Sequence, residues 1–313
     1  MISVILCTYN RVSTLRGTLA SLQGLHVPAH VAWELIIVDN NSSDDTARVV
    51  AEYQQSAAFD VRYVFEPEQG HSHARNRGIR EAKGTILAFT DDDVTVDPHW
   101  LARIHGTYER FDCIGMGGTI VPVWPREKPA WLEDRGPYRL MKAIVSFDLG
   151  DRPCVLDTPP FGANMSFKKV AFERYGLFRT DLGRQGRDLT GGEDTEFGRR
   201  LLRNNETLIY DPAVVVYHPV ENERLTKRYW QRWYFAYGRM SARRGDDADH
   251  GVSPSSQRRK LWRRLAGHFL RWTFALDLDR RFYHKLNFYR ALGQLREACR
   301  VGRHRRGTLP RLS

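Results

Sequence analysis

Short apolar runs alternate with segments of helical periodicity along the first hundred residues. The runs that predict buried strands are Ile2–Thr8, Trp33–Asp39, Val61–Phe65 and Thr85–Phe89. The segments that predict helices are about 12–22, 43–55 and 72–83. Ser42 or Ser43 is a candidate cap for the second helix, with Asp44 and Asp45 in its first turn, and Gly84 is a candidate end for the third. This alternation predicts an α/β fold with a mostly parallel sheet flanked by helices.

The remainder of the chain has a different pattern. Residues 112–219 are rich in Gly, Pro and Trp and predict strands with long loops, followed by a helix at about 191–204. From about Thr226 the chain is helical, basic and aromatic, with a linker expected at 245–256. In the helix beyond this linker, an apolar stripe opposes several arginines; its members are Leu261, Leu265, Phe269 and Trp272. We therefore expect two domains, 1–220 and 221–313, the first with halves at 1–111 and 112–220.

Polar residues follow three of the predicted strands. They are Thr8-Tyr9-Asn10, Asp39-Asn40-Asn41 and the three consecutive aspartates Asp91, Asp92 and Asp93. Ligands of open α/β sheets bind beyond the carboxyl ends of the strands, so these clusters predict one site. Three adjacent like charges repel one another, and a divalent cation would neutralise them. The alternative is a solvated turn.

Composition supports a folded protein with an uneven charge. The 313 residues are 42% hydrophobic and 12% aromatic. The formal net charge is +11, but residues 220–313 contain 23 Lys and Arg against 8 Asp and Glu, and residues 1–219 contain 25 against 29. The basic excess therefore lies in the last third, which predicts contact with an anionic partner such as a membrane surface or nucleic acid.

The cysteine pattern and the hydropathy point to the cytoplasm. The four cysteines lie far apart and form no CxxC pair, so we expect neither a zinc site nor a disulfide framework. Met1 leads directly into an apolar strand, and we expect no signal peptide. No apolar run approaches the roughly 18 residues of a membrane span. We expect a cytoplasmic protein, with peripheral attachment to the cytosolic face of the inner membrane as the further hypothesis.

Carboxylate ligands favour Mg²⁺ or Mn²⁺. A calcium-binding EF-hand starting at Asp91 would need Gly and Glu where the chain has Val96 and Ala102. Phosphate-binding glycine loops of the GxxxxGK[ST] type, and a GxGxxG after the first strand, are absent from the sequence. A cation held by few carboxylates usually bridges to substrate phosphates, which a sugar nucleotide would supply.

Six motifs together resemble the family 2 glycosyltransferases of the GT-A fold. They are TYNR, VDNNSSDDT, ARNRGI, FTDDDV, FGANMSF and GGEDTEF, in that order over about residues 1–220. The resemblance implies an inverting, metal-dependent transferase that uses a nucleotide-sugar. It implies that the DxD motif falls on Asp91 and Asp93, the base-contacting aspartate on Asp39, and the catalytic carboxylate on Glu193-Asp194.

The residue types suggest roles at the nucleotide end, each with an alternative. Tyr9 suits stacking on the nucleobase, with Thr8 nearby, but a core aromatic is equally common. Asp39 can accept a hydrogen bond from a base N–H, or it can cap the loop that follows. Arg75 suits the diphosphate or the base, or it is an ordinary surface arginine. Asp92 is expected near the ribose or the metal.

At the metal and acceptor end, Asp91 and Asp93 are the expected ligands, with Asp93 preferred. The resemblance adds His218 as a third ligand; a structural histidine is the alternative. An inverting transfer needs a base for the acceptor hydroxyl, and we assign Asp194 as base and Glu193 as acceptor-positioning. Their order remains open, and acids of a helical first turn are the alternative.

The expected partners are a UDP- or dTDP-sugar and a saccharide or lipid-linked acceptor, in bacterial polysaccharide or glycolipid synthesis. The rival functions are a sugar nucleotidyltransferase, a basic nucleic-acid-binding protein and a non-catalytic sugar-binding module. Nucleic acid is not expected, because the acidic cluster would have no role in binding it. The arginine-rich helix with its apolar stripe is either an interfacial membrane helix or a helix docked on the catalytic domain.

Overall fold

The first four strands form the parallel half of one sheet. The structure, a computed structural model, describes residues 1–132, 137–140, 143–184, 186, 189, 191–246 and 254–307. Its strands are β1 Ile2–Thr8, β2 Trp33–Asp39, β3 Asp60–Phe65, β4 Ile86–Asp91, β5 Thr95–Val96, β6 Gly115–Val123, β7 Cys154–Val155, β8 Met165–Lys168 and β9 Leu208–Pro219. Its helices are α1 Val12–Gln23, α2 Thr46–Ser56, α3 His71–Glu81, α4 Trp100–Arg110, α5 Lys169–Tyr175, α6 Glu193–Arg203, α7 Lys227–Arg244, α8 Pro254–Phe274 and α9 Leu278–Gly307, with a 3₁₀ turn at Asn222–Leu225.

The strand order is β3-β2-β1-β4-β8-β6-β9-β5, with β7 paired to β9. Strands β1 to β4 pair in parallel, whereas β8 is antiparallel to both β4 and β6. All residues of β1 are buried, so helices and loops cover both faces of the sheet there. The predicted α/β fold with a sheet that is mostly parallel in its first half is confirmed.

A buried carboxylate ends α3 earlier than the sequence predicts. Glu34 is completely buried and accepts hydrogen bonds from Ser3 Oγ at 2.6 Å and from the Lys83 backbone N–H at 2.7 Å. The second bond holds Lys83 outside the helix, which ends at Glu81. Gly84 serves packing: a Cβ there would lie 2.7 Å from the Ser3 backbone nitrogen. The predicted helix end at Gly84 is therefore wrong.

The predicted start of α2 is also wrong, because the loop before it binds another loop. Asn10 Oδ1 accepts hydrogen bonds from the backbone N–H groups of Ser43 and Asp44, at 2.7 and 3.2 Å. Asp44 in turn accepts from the Val12 N–H at 3.1 Å and from the Thr46 N–H at 3.2 Å. These contacts join the loops that follow β1 and β2, and the helix begins only at Thr46.

Strand β4 extends further than predicted. The run expected at Thr85–Phe89 forms Ile86–Asp91, because pairing with β1 continues until Cys7 lies opposite Asp91. Asp91 is thus the last residue of a central strand, not the first residue of a loop. Its backbone is held by the sheet, which positions its side chain at the carboxyl edge.

The chain packs as two units. The first unit comprises 1–125, 145–186 and 193–220, and the second comprises 126–144, 187–192 and 221–313. The sequence predicted a boundary at 220, but it did not predict that two segments of the middle region belong with the C-terminal helices. Within the described residues, no helix combines the length and the apolar composition needed to cross a bilayer.

Helices α7, α8 and α9 form the main part of the second unit. Thr226 caps α7 by accepting from the Tyr229 N–H, and Gly245 ends it in the left-handed conformation with φ of 77°. Of the predicted linker at 245–256, residues 247–253 lie outside the described part, and α8 already begins at Pro254. Glu297 of α9 forms ion pairs with Arg239 and Arg243 of α7 at 3.3 and 3.0 Å. Some of the basic side chains of this unit are therefore paired with an acid inside it.

Two glycines allow α7 and α9 to pack with their backbones in contact. A Cβ at Gly238 would lie 2.0 Å from the Arg290 carbonyl oxygen, and one at Gly293 would lie 2.1 Å from the Phe235 carbonyl oxygen. Backbone atoms cannot move aside as a flexible side chain can, so neither position accepts a larger residue without separating the helices.

We expect Gly293→Ala to lower the free energy of unfolding by about 1–3 kcal/mol, because the added methyl overlaps the α7 backbone. The matched control is Gly267→Ala in α8, where an added Cβ has no atom within 4 Å. This control should raise stability by about 0.5–1 kcal/mol through its higher helix propensity. Denaturant unfolding of both variants measures the difference, and equal stabilities would contradict the close packing of α7 on α9.

Candidate active site

The polar clusters at the three strand ends lie together at one edge of the sheet. In the register of β1 with its neighbours, Thr8 lies opposite Asp39 and Cys7 lies opposite Asp91. This is the edge at which open α/β sheets bind ligands. All residues of the site described below belong to the first unit.

Arg11 and Thr8 hold two of the three consecutive aspartates. The Arg11 guanidinium lies 3.3 Å from Asp92 and 3.0 Å from Asp93, and Thr8 Oγ1 donates to Asp92 at 2.7 Å. Burial raises the pKa of Asp92 to about 6 although Arg11 opposes the shift, and the charge of Asp93 adds to the rise. The solvated-turn interpretation is wrong for Asp92, which is buried. Sequence analysis gave Arg11 no role, although it stands at the end of the TYNR motif.

Asp91, Asp93 and His218 form a cluster with the composition of a metal site. One ligand atom from each lies within 4.8 Å of the other two. The sheet brings His218 to the aspartates, because Thr95 of β5 pairs with Tyr217 of β9. Burial raises the pKa of Asp91, but the charges around it together, of which that of Arg75 has the largest effect, lower the pKa below the usual aspartate value, so this carboxylate remains ionised.

The protonation of His218 leaves a lone pair facing this cluster. His218 Nδ1 lies 2.9 Å from the Pro219 carbonyl oxygen, which can only accept, so Nδ1 carries the proton. Nε2 then faces Asp93 Oδ1 at 3.5 Å. That carboxylate oxygen is buried and, among the described residues, has no hydrogen-bond partner. Two electron-rich atoms directed at the same space fit a bound cation, and the donor set of two carboxylates and an imidazole fits Mn²⁺ or Mg²⁺.

Glu193 is a buried carboxylate whose positive neighbours keep it ionised. It accepts from Arg75 at 2.8 Å and lies 3.2 Å from His71 Nδ1. Burial alone would favour the neutral acid, but the His71 hydrogen bond and the Arg75 charge lower the pKa of Glu193 to about 2. A carboxylate with such a low pKa is a weak base, so the contacts suit Glu193 to a positioning role. His71 was not singled out in the sequence; its only signal is its place next to the ARN motif.

Asp194, the next residue, has the opposite shift. Its Oδ2 accepts from the Gly162 N–H at 2.9 Å and its Oδ1 accepts from the Thr195 N–H at 2.6 Å. Loss of hydration and then the charge of Glu193 raise the pKa of Asp194 above the ordinary aspartate value. A helix N-terminus favours the ionised form of a carboxylate, but these two effects are larger. Of the two acids, Asp194 has the higher proton affinity and is the better proton acceptor.

Arg75 connects the two groups of acids. It is buried, binds Glu193, and lies 3.5 Å from Asp91. The alternative of an ordinary surface arginine is therefore wrong. Contact of Arg75 with a diphosphate or a base stays a prediction, since both of its described ionic partners are protein carboxylates.

Asp39 and Tyr9 lie at the β1–β2 side of the edge. Asp39 is buried, accepts from the Ser42 N–H at 2.9 Å, and accepts from the Tyr63 hydroxyl at 2.8 Å. Asp39 thus caps the loop that follows its strand, which was the alternative to base recognition. Recognition of the nucleobase by Asp39 stays a prediction. Tyr9 is half-buried and, within the described part of the chain, is not counted in the hydrophobic core. Its side chain is therefore available for stacking.

The FGANMSF segment contributes backbone to the site. Gly162 donates to Asp194, whereas Asn164 is an interior residue. The Asn164 side chain accepts from Trp100 Nε1 and donates to the carbonyl oxygens of Thr119 and Val214, all at 2.9 Å. Asn164 therefore fixes the loop that presents Gly162 and has no free polar atom directed at a substrate.

The fold is shared with solved transferases. The structure aligns with the mannosyltransferase PcManGT from Pyrobaculum calidifontis in complex with GDP-Man and Mn²⁺, at a TM-score of 0.61 over 95% of this chain and 86% of that chain. The sequence identity is 18%, so this similarity is one of fold.

Two curated proteins are similar over most of their lengths. The succinoglycan biosynthesis protein ExoM of Rhizobium meliloti is 25% identical over 80% of this chain and 77% of its own length. The glucosyl-dolichyl phosphate glucuronosyltransferase of Haloferax volcanii is 25% identical over 74% of each chain.

The sequence model of glycosyl transferase family 2 matches residues 3–174, more than half of the chain. The match includes the strands that end in Thr8, Asp39 and Asp91. The chain belongs to glycosyl transferase family 2 and is a glycosyltransferase.

Proposed function

We propose that the protein transfers a sugar from a nucleoside diphosphate donor to a hydroxyl acceptor, with inversion and with the help of Mg²⁺ or Mn²⁺. The observation that carries this proposal is the cluster of Asp91, Asp93 and His218, in which a buried Asp93 oxygen and the His218 lone pair face each other. The Mn²⁺ bound by the structurally similar mannosyltransferase supports it.

For the donor, we propose a UDP- or dTDP-sugar. Tyr9 would stack on the nucleobase, Asp39 would accept from a base N–H, and Thr8 and Asp92 would lie near the ribose. The donor would occupy the half formed by residues 1–111, and the acceptor the half formed by 112–220. When bound at Asp91, Asp93 and His218, the cation would neutralise the charge that develops on the departing diphosphate.

For the chemical step, we propose Asp194 as the base. Its carboxylate would take the proton of the acceptor hydroxyl while the acceptor oxygen bonds to the anomeric carbon. The bond from that carbon to the diphosphate oxygen breaks, and the nucleoside diphosphate leaves with the bonding electrons. Glu193, held by Arg75 and His71, would accept a hydrogen bond from the acceptor and orient it.

The biological role we propose is bacterial surface polysaccharide or glycolipid synthesis. The names of the two similar proteins support it, since succinoglycan biosynthesis concerns a polysaccharide and glucosyl-dolichyl phosphate is a lipid-linked acceptor. A lipid-linked acceptor would place the enzyme peripherally on the cytosolic face of the inner membrane. Since the chain is a glycosyltransferase, the nucleotidyltransferase and binding-protein alternatives no longer apply.

Removing one proposed metal ligand should abolish metal-dependent nucleotide binding. We expect wild-type protein to gain thermal stability with one class among UDP-, dTDP- and GDP-sugars only when Mn²⁺ is present, and Asp93→Asn to lose this gain. The matched control is Asp112→Asn, whose carboxylate is fully exposed outside the site. A thermal-shift panel measures the effect, and an unchanged response of Asp93→Asn would exclude the cluster as the metal site.

Replacing the proposed base should slow chemistry more than it weakens donor binding. We expect Asp194→Asn to lower kcat by about 10²–10⁴-fold, because the amide oxygen can accept one of the two backbone hydrogen bonds but the amide cannot take a proton. The metal-dependent thermal shift should stay close to that of wild type. Release of nucleoside diphosphate in the presence of the acceptor measures kcat; a loss below tenfold would assign the base elsewhere.

The pH dependence of kcat tests the coupling between the two acids. The raised pKa of Asp194 means that the base becomes protonated at a pH where an ordinary aspartate is still ionised, so kcat should fall early on the acid side. Glu193→Gln removes one charge that raises this pKa, so the acid limb should move to lower pH. Glu196→Gln, in the same helical turn and paired with Arg200, is the control and should leave the limb in place. If the acid limb of Glu193→Gln moved to higher pH instead, the assigned effect of the Glu193 charge on the pKa of Asp194 would be wrong.

A further inference from the structure

Helix α8 presents two apolar faces, and only one of them is covered. The covered face is the stripe that the sequence predicts; it contacts α9 of the same unit, and only its member Phe269 is exposed, at 47%. Leu261 is buried, the Trp272 ring lies 5.7 Å from the Phe288 ring, and His268 Nδ1 lies 3.3 Å from His284 Nδ1. The stripe is therefore largely an internal contact of the second unit.

The second face is exposed and was not noticed in the sequence. Trp262, Leu270 and Phe274 lie at multiples of four residues along α8, which places them on one side of the helix, and they are 57%, 54% and 75% exposed. The face continues into the turn between α8 and α9, where Leu276 is 100% and Leu278 is 74% exposed. We call these five residues the apolar tip. Contiguous exposed apolar surface of this kind marks interaction sites in soluble proteins.

The backbone holds the tip in place. Asp277, between the two exposed leucines, caps α9: its Oδ1 accepts from the Arg280 N–H at 2.7 Å and its carbonyl oxygen from the Arg281 N–H at 2.9 Å. The Ala275 N–H donates to the Arg271 carbonyl oxygen at 3.0 Å, which closes α8. Leu276 and Leu278 thus lie exposed in a hydrogen-bonded turn and not at a frayed helix end.

The charges around the tip identify its partner. Exposed basic residues of both helices, among them Arg259, Arg263, Arg271, Arg280 and Arg281, outnumber the one exposed acid within the span of the tip, Asp277, whose carboxylate is bound to the N-terminus of α9. A second copy of this chain would oppose arginines to arginines across the contact, which is unfavourable. An anionic lipid surface is complementary instead, because it accepts apolar side chains at the acyl boundary and attracts guanidinium groups to its headgroups.

We propose that the apolar tip inserts into the interface of an anionic lipid bilayer, with the flanking arginines on the headgroups. The inference rests on the proposed function in one respect: a lipid-linked acceptor would be presented at the same surface. Aromatic and leucine side chains beside arginines are the composition of helices that lie in the membrane interface.

Vesicle flotation with the full-length protein tests the proposal. The tip variant combines Phe274→Ser, Leu276→Ser and Leu278→Ser, which are too exposed to disturb packing. The control variant combines Phe65→Ser, Leu149→Ser and Val155→Ser, apolar residues of the first unit that are 47%, 47% and 69% exposed. A third variant, Arg263→Gln with Arg271→Gln, tests the charge contribution.

We expect wild type and control to float with phosphatidylcholine vesicles that contain phosphatidylglycerol, and the tip variant to float at least about tenfold less. The arginine variant should lose the preference for phosphatidylglycerol over pure phosphatidylcholine. Equal flotation of wild type and tip variant, or no flotation of wild type, would overturn the proposal. So would a concentration-dependent dimer in sedimentation that the tip variant abolishes while no vesicle is bound.

The Mn²⁺-dependent thermal shift with nucleotide, measured on the same preparations, separates this inference from the proposed function. A retained nucleotide response with failed flotation overturns only the lipid surface. A lost nucleotide response with tip-dependent flotation supports the lipid surface and overturns the proposed catalysis.

Discussion

The burial of several carboxylates at one edge of a parallel sheet is the constraint on which the site depends. Asp91, Asp92 and Asp93 follow a central strand, and Glu193 and Asp194 begin α6 close by. Buried charges of one sign are costly unless opposite charges neutralise them. Arg11 neutralises Asp92 and one oxygen of Asp93, whereas Arg75 serves Glu193 and Asp91. The other oxygen of Asp93, facing His218, is the part of this charge balance that fits a metal ion.

Loss of hydration and the charges nearby also shift the pKa values of two neighbouring acids, Glu193 and Asp194, in opposite directions. Glu193 contacts Arg75 and His71, which stabilise its negative charge and lower its proton affinity. Asp194 accepts from the backbone N–H groups of Gly162 and Thr195 and from the Thr195 hydroxyl; it loses hydration on folding and lies beside the charged Glu193, so its proton affinity is high. A positioned acceptor and a base of raised pKa are what a direct displacement at a sugar carbon requires. Arg75 thus links the proposed metal ligand Asp91 to the proposed positioning residue Glu193 through one buried guanidinium.

The second unit distributes its basic residues between two uses. Arg239 and Arg243 bind Glu297 and join α7 to α9, next to the glycine contact between these helices. The arginines around the apolar tip are exposed. A net positive charge counted along the sequence does not distinguish these uses, since it depends on which side chains meet an acid after folding.

The sequence alone determined the elements and the chemistry of this protein. Continuous apolar runs predicted the parallel strands because strands buried on both faces have no polar alternation. The polar residues that end those runs identified the edge of the site, the motifs contain Asp91, Asp93, Glu193 and Asp194, and the family resemblance added His218. Local pattern was sufficient there because the order of apolar runs and polar clusters is a property of neighbours in the chain, whereas the bounds of β4 and α2 depended on tertiary contacts.

Tertiary contacts decided what local pattern could not. Glu34 ends α3 by binding Lys83, and Asn10 delays α2 by binding Ser43 and Asp44, both across distances of thirty residues or more. The partners of Arg11, Arg75 and His71, and hence the opposite pKa shifts of Glu193 and Asp194, exist only once strands and helices meet. The sequence did not indicate that one apolar face of α8 is exposed. The position of α9 decides which face of α8 is covered, and this is a tertiary contact.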